Sequence, residues 1–175
     1  MRMRVLTQRE LCVLNEKKIN VLLVDDEEAL LESMRRRLQF RDFNVIAVSR
    51  GEKALAVARE QPVDVAIVDV KMPGMSGMEV LETLKSEHPW MEVIILTGHG
   101  SFDPDEEGVA EKLHSCLAKP CDLATLQEAL VDAYKKTVMN RTQMDPEEMD
   151  EILRKGSNGS PDSMLQKLKD LDKTG

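Results

Sequence analysis

The sequence predicts an α/β fold, a doubly wound (βα)5 sandwich around a five-stranded parallel sheet. Three observations carry that expectation. Short apolar runs rich in β-branched residues, such as Val65-Ala66-Ile67-Val68, recur along the chain and read as strands buried on both faces. Stretches with apolar residues at helical spacing separate them. Polar residues of unusual type, where present, stand at the C-terminal ends of the runs. Strands alternating with helices imply a parallel sheet covered on both sides, joined by right-handed crossovers.

The first run, Ile19 to Val24, ends in Asp25-Asp26-Glu27-Glu28. These acids are expected in the first turn of a helix through about Gln39, with Leu30, Met34 and Leu38 on one stripe. Asn44 to Val48 reads as the second strand. Glu52 to Glu60 follows as a helix that starts near Ser49 or Arg50 and is stopped by Pro62. The third strand ends in Asp69, and Pro73, Gly74 and Gly77 then make a turn. A helix over Met78 to Ser86 places Leu81 and Leu84 inward. Met91 to Leu96 is the fourth strand and leads into Thr97-Gly98-His99-Gly100. A helix is expected from near Asp103-Pro104, since proline is tolerated at the first helical position. The fifth strand, Ser115 to Ala118, ends at Lys119-Pro120, and a last helix runs from about Leu123 to Val138.

The strands and helices together define a domain over residues 19–139. Residues 1–18 form a charged extension in which Thr7 to Leu14 could make a short helix. Residues 140–175 carry two short amphipathic stretches on linkers. Asp145-Pro146-Glu147-Glu148 reads as a helix start, and Gly156 to Pro161 as a break. This segment is expected to be a loosely ordered tail or, alternatively, an arm for docking or homodimer formation.

Composition narrows the function. With 42% apolar and only 3% aromatic residues in 175, the chain can build an aliphatic core. Its net charge of −8 disfavours direct contact with nucleic acid or anionic membranes. No apolar run is long enough to span a bilayer, and the N-terminus lacks a signal-peptide core. Cys12, Cys116 and Cys121 form no C-x-x-C pair, and His114 with the last two lacks metal-ligand spacing. A reducing cytoplasm is expected.

The chemistry lies at the strand ends, where open parallel sheets bind ligands. In the strand order 2-1-3-4-5 the first and third strands are neighbours, and Asp25, Asp26 and Asp69 converge. Three close carboxylates repel one another, and a hard cation such as Mg2+ relieves that cost. Lys119 adds a positive charge and Thr97 a hydroxyl at the same spot, a set suited to stabilising a phosphoryl group on Asp69.

Asp25-Asp26, Asp69 with Met72-Pro73-Gly74-Met75-Ser76-Gly77, Thr97-Gly98 and Lys119-Pro120 resemble the receiver domain of two-component response regulators. The resemblance implies a flavodoxin-like, CheY-like fold whose aspartate, here Asp69, accepts a phosphoryl group from a sensor histidine kinase or phosphotransfer protein. It further implies direct Mg2+ ligands in Asp26, Asp69 and the backbone carbonyl of Lys71, with Asp25 acting mainly through water. Thr97 and Lys119 would contact the phosphoryl oxygens, and the Lys119-Pro120 peptide would be cis. Such a domain transfers a phosphoryl group to itself and is not a turnover enzyme. Its output would pass through contacts with a downstream protein or through a phosphorelay.

The departures concern readout. Cys116 stands where the family usually has the aromatic partner of the threonine, here Thr97. Lys112-Leu113 replaces a small pair, and Cys121 stands where Phe is common. Lys71 and His99, two positions beyond Asp69 and Thr97, would flank the path of a hydrolytic water and tune dephosphorylation. The alternative function is a degenerate receiver that serves as a constitutive interaction domain without phosphorylation. Two enzyme classes fit worse. A haloacid-dehalogenase-type phosphatase would want an aspartate where Lys71 stands, and a dinucleotide enzyme a glycine-rich turn in place of Asp25-Asp26-Glu27-Glu28.

Overall fold

Residues 18–98 and 108–173 are described by the structure, a computed structural model. Strands β1 (Ile19–Val24), β2 (Phe43–Val48), β3 (Val65–Asp69), β4 (Glu92–Thr97) and β5 (Ser115–Ala118) form one sheet in the order β2-β1-β3-β4-β5. Every pairing is parallel. The expected fold class and strand order hold. Helices α1 (Glu28–Phe40), α2 (Gly51–Glu60), α3 (Gly77–Glu87), α4 (Leu123–Thr142), α5 (Pro146–Gly156) and α6 (Pro161–Asp172) complete the described elements.

The strands read as continuous apolar runs because both sheet faces are covered. Ile19, Val21 and Leu23 face α1 and α4, while Leu22 and Val24 face α2 and α3. All five residues of β3 are buried, as the central position demands.

Several boundaries shift from expectation. Asp25 and Asp26 precede α1 rather than joining its first turn, because Asp25 Oδ1 accepts a hydrogen bond from Glu27 N at 2.9 Å and forms a turn of its own. Helix α4 continues to Thr142 and ends at Gln143 in the left-handed region, φ 56°. The helix expected near Asp103-Pro104 and the one over Thr7 to Leu14 begin outside the described residues. Residues 108–112 form turns leading into β5.

The C-terminal segment departs most. Each of its helices starts at a proline behind a capping side chain: Asp145 accepts from Glu148 N, and Ser160 from Ser163 N. Both pack on the domain instead of trailing from it. Met149, Leu153, Leu165 and Leu168 are buried in the same cluster as Leu130, Tyr134 and Val138 of α4. Helix α4 thus lies between the sheet and a third layer.

Arg141 fastens that layer. Its Nη1 reaches Asp64 Oδ1 at 2.9 Å and Asp172 Oδ2 at 2.8 Å, and its guanidinium lies 4.0 Å from the Trp90 ring centre. Tyr134 Oη donates to Asp172 at 3.1 Å. Burial pushes the Asp64 carboxyl above its ordinary range, against the pull of the Asn20 N–H and of Arg141. This group accordingly depends on those partners.

A second polar knot lies at the start of β4. Glu92 is only 2% exposed, yet Lys85, Lys136 and His114 approach its carboxylate at 3.4–3.5 Å, and Asn140 donates to it at 3.0 Å. Burial alone would raise its pKa, but the hydrogen bond from His114 and the charges of Lys85 and Lys136 outweigh burial and hold it below the ordinary value of 4.5. An acid depressed on folding stabilises above its unfolded pKa, and that contribution fades as pH falls through the folded value. Glu92→Gln is therefore expected to melt below the parent at pH 7, with the gap closing in melting curves as the pH falls below the ordinary value of 4.5. A gap independent of pH would assign the loss to packing alone.

Candidate functional site

The site forms where the strands end. The register sets Val24 of β1 beside Val68 of β3, so the next residues in step, Asp25 and Asp69, face each other across the crevice. Carboxylate oxygens of Asp25, Asp26 and Asp69 all lie within 4.8 Å of one another. Asp25 is fully buried and Asp69 is 5% exposed. On the other side, Thr97 pairs with Ala118, and Lys119 N donates to Thr97 O at 2.8 Å. This stitch carries the lysine over the acids. Lys119 Nζ donates to Asp25 Oδ2 at 2.6 Å and lies 3.2 Å from Asp69 Oδ1 and 3.6 Å from Glu27.

The charges do not balance. Burial first, then the repulsion of Asp25 and Asp26, raises the pKa of Asp69 above its ordinary value although Lys119 pulls it down. Burial would lower the Lys119 pKa, but Asp25 and Asp69 raise it overall, so the ammonium is held charged. Three carboxylates against one close ammonium leave negative charge in a confined, oxygen-only pocket, and this donor set fits a hard divalent cation.

Tight backbone packing holds Asp69. Gly77 N donates to Val70 O at 2.9 Å, and Val70 N donates to Leu96 O at 3.0 Å. A Cβ on Gly77 would lie 2.0 Å from the Asp69 carbonyl oxygen, so only glycine permits this approach. Ser76 then caps α3 in a reciprocal box with Glu79. Gly74, with φ 78°, makes the preceding turn. The Lys119-Pro120 peptide is cis.

Of the residues expected at the site, Asp25, Asp26, Asp69 and Lys119 meet directly. Thr97 closes the end of β4, its Oγ1 donating to Gly98 O at 3.0 Å. Lys71 lies in the loop two residues past Asp69, with an exposed side chain. Cys116 lies within β5 beside Ile95, half-buried, and burial pushes its thiol up. His99 lies outside the described residues. The role of Gly77 in seating Asp69 and the contact of Glu27 with Lys119 were not read from the sequence. The acidic run and the glycine after the turn were their only signals.

This architecture of acids, threonine and lysine on a 2-1-3-4-5 sheet defines a class, and comparison with known proteins specifies it. Residues 21–131 match the response regulator receiver domain family. The chain belongs to that family, whose members act in two-component signalling. Among its relatives, the transcriptional regulatory protein GlrR of Escherichia coli is 33% identical over 124 residues, which are 71% of this chain and 28% of GlrR. A cyclic di-GMP phosphodiesterase of Thermotoga maritima is 33% identical over 122 residues, 70% of this chain and 33% of that protein. The chain therefore spans about a third or less of these relatives. A response regulator receiver domain protein from Clostridium thermocellum superposes with a TM-score of 0.64 at 33% identity, covering 72% of this chain and 98% of the other. TrrA of Thermotoga maritima, solved in complex with Mg2+-BeF, superposes with a TM-score of 0.58 at 25% identity, covering 64% and 96%.

Proposed function

We propose that this chain is a phosphorylation-dependent receiver in which Asp69 accepts a phosphoryl group from a phosphohistidine of a sensor kinase or phosphotransfer protein. The observation that carries this reading is the position of Lys119 Nζ, 3.2 Å from Asp69 Oδ1 and 2.6 Å from Asp25 Oδ2, at the mouth of a three-carboxylate pocket. Family membership and the Mg2+-BeF complex of the similar TrrA support it.

In the reaction an Asp69 carboxylate oxygen bonds to phosphorus as the phosphorus–nitrogen bond to the donor imidazole breaks. The electron pair passes to the imidazole nitrogen. Asp25, Asp26, Asp69 and the Lys71 carbonyl would hold Mg2+, which supplies positive charge against the phosphoryl oxygens. Lys119 keeps a charged ammonium beside the acceptor, and Thr97 offers a hydroxyl from the adjoining strand. Buried Asp25 anchors Lys119 and so orients it.

The domain then shifts between inactive and active states through contacts unique to the phosphorylated form. Cys116, next to the Thr97–Lys119 stitch, replaces the aromatic that usually reads this change. Lys71 and His99 tune loss of the phosphoryl group. Output goes to a downstream protein or a further phosphotransfer step in the cytoplasm. The net charge of −8 argues against a DNA-reading surface within this chain, whatever the larger transcriptional relatives carry.

Intact-mass measurement after incubation with Mg2+ and acetyl phosphate tests the proposal. One phosphoryl mass is expected on the parent protein and none on Asp69→Ala. Unchanged labelling of Asp69→Ala, or no adduct on the parent with any donor, would overturn it.

A further inference from the structure

A cavity of about 320 Å3 lies at the opposite end of the sheet from Asp69, between α6 and the α1–β2 turn. Its volume is at the lower end for small-molecule sites, on the order of 300–1,000 Å3. Ile19, Phe43 and Leu165 form apolar walls, and Phe40, 90% exposed, stands at the rim. Lys169 also lines it and is only 9% exposed. Among the described residues its nearest carboxylate, Asp42 Oδ2, is 4.0 Å away, beyond hydrogen-bond reach, and Asp42 Oδ1 is engaged by Lys18 at 3.3 Å. A buried ammonium ordinarily has a bonded counter-ion. Burial accordingly lowers the Lys169 pKa despite Asp42.

We propose that this cavity binds a small amphiphilic monoanion, a carboxylate on an apolar body, with Lys169 as its counter-ion. The carboxylate would satisfy the ammonium that Asp42 does not reach, and the apolar body would cover Phe40 and pack on Ile19, Phe43 and Leu165. Arg41, also in the wall, adds a second positive charge while its Nη1 donates to Gln127 at 3.1 Å. Asp42 and Asp162 line the same cavity, and their charge disfavours a dianion such as a phosphate monoester. Because α6 supplies Lys169 and Leu165, occupancy would tighten the third layer onto α1 and β1.

The probes are octanoate, octanol and octyl phosphate, each titrated into the full chain and followed by amide chemical shifts of Ile19, Phe43 and Leu165. Octanoate is expected to shift these signals saturably, with octanol and octyl phosphate at pH 8 about tenfold weaker or more, the order of one charge-assisted hydrogen bond. Lys169→Met, which keeps the unbranched apolar stem and removes the ammonium, is expected to weaken octanoate about tenfold and leave octanol unchanged. No saturable shift with octanoate, or octanol or octyl phosphate binding as tightly, would overturn the proposal on the unmodified protein. Octanoate binding unchanged in Lys169→Met would do the same.

Discussion

Cutting the chain after Thr142 is expected to lower the melting temperature by about 10 °C, the shift that a loss on the order of 3 kcal/mol produces in a domain of this size. The cut removes Met149, Leu153, Leu165 and Leu168, all buried against α4. Burying such side chains contributes roughly 1.5–3 kcal/mol each, and the ordering of two short helices offsets part of the sum. The cut also strips Asp172 from Arg141 and Tyr134, leaving Tyr134 and Val131 facing water. Leu168→Ala isolates the packing part. Leu168 is fully buried, and a change of this kind costs about 2–5 kcal/mol. Circular-dichroism melts of both variants decide the matter. A truncated chain that melts within a degree or two of the parent would mean that α5 and α6 do not belong to the core.

Gly77→Ala is expected to damage both stability and phosphoryl transfer. Glycine is required here by proximity, because the new Cβ would lie 2.0 Å from the Asp69 carbonyl oxygen, 2.8 Å from its carbonyl carbon and 2.9 Å from Val70 Cα. All three contacts are backbone, so no rotamer change relieves them. Either α3 withdraws, stretching the Gly77 N to Val70 O hydrogen bond, or the end of β3 moves and takes Asp69 away from Lys119. Forced overpacking of this kind costs about 1–3 kcal/mol and sometimes more. The expected result is a lower melting temperature and phosphoryl labelling at least tenfold slower, since an ångström of misplacement in a reacting group costs on the order of a hundredfold. An alanine variant that melts and labels like the parent would contradict the assigned contact.

Much of the site was legible because a parallel sheet collects its chemistry at one end. Once β1 and β3 were neighbours, Asp25, Asp26 and Asp69 had to meet, and Lys119 at the end of β5 could reach them only across β4. The third layer was less legible. Met149, Leu153, Leu165 and Leu168 mark two apolar stripes, but a stripe does not name the surface that buries it. The partner, the outer face of α4, carries Val131 and Tyr134 among polar residues and reads as a solvated side.

Glu92 was hidden for a related reason. Within Met91 to Leu96 it reads as a strand-edge acid, and its partners Lys85, His114, Lys136 and Asn140 come from three separate stretches. Arg141 lay beyond the expected end of the last helix, where neither glycine nor proline marked how far it would run. Gly77 was read as a turn former, whereas its φ is ordinary and its contact with Asp69 sets the requirement.

The central claim is that Asp69 itself carries the phosphoryl group. After treatment with acetyl phosphate and Mg2+, borohydride reduction converts an aspartyl phosphate to homoserine, and peptide mass spectrometry locates it. Homoserine is expected at position 69, and none at 25 or 26. Homoserine at Asp25 or Asp26, or at no position in a protein that has gained the phosphoryl mass, would contradict the assignment of Asp69 as the acceptor.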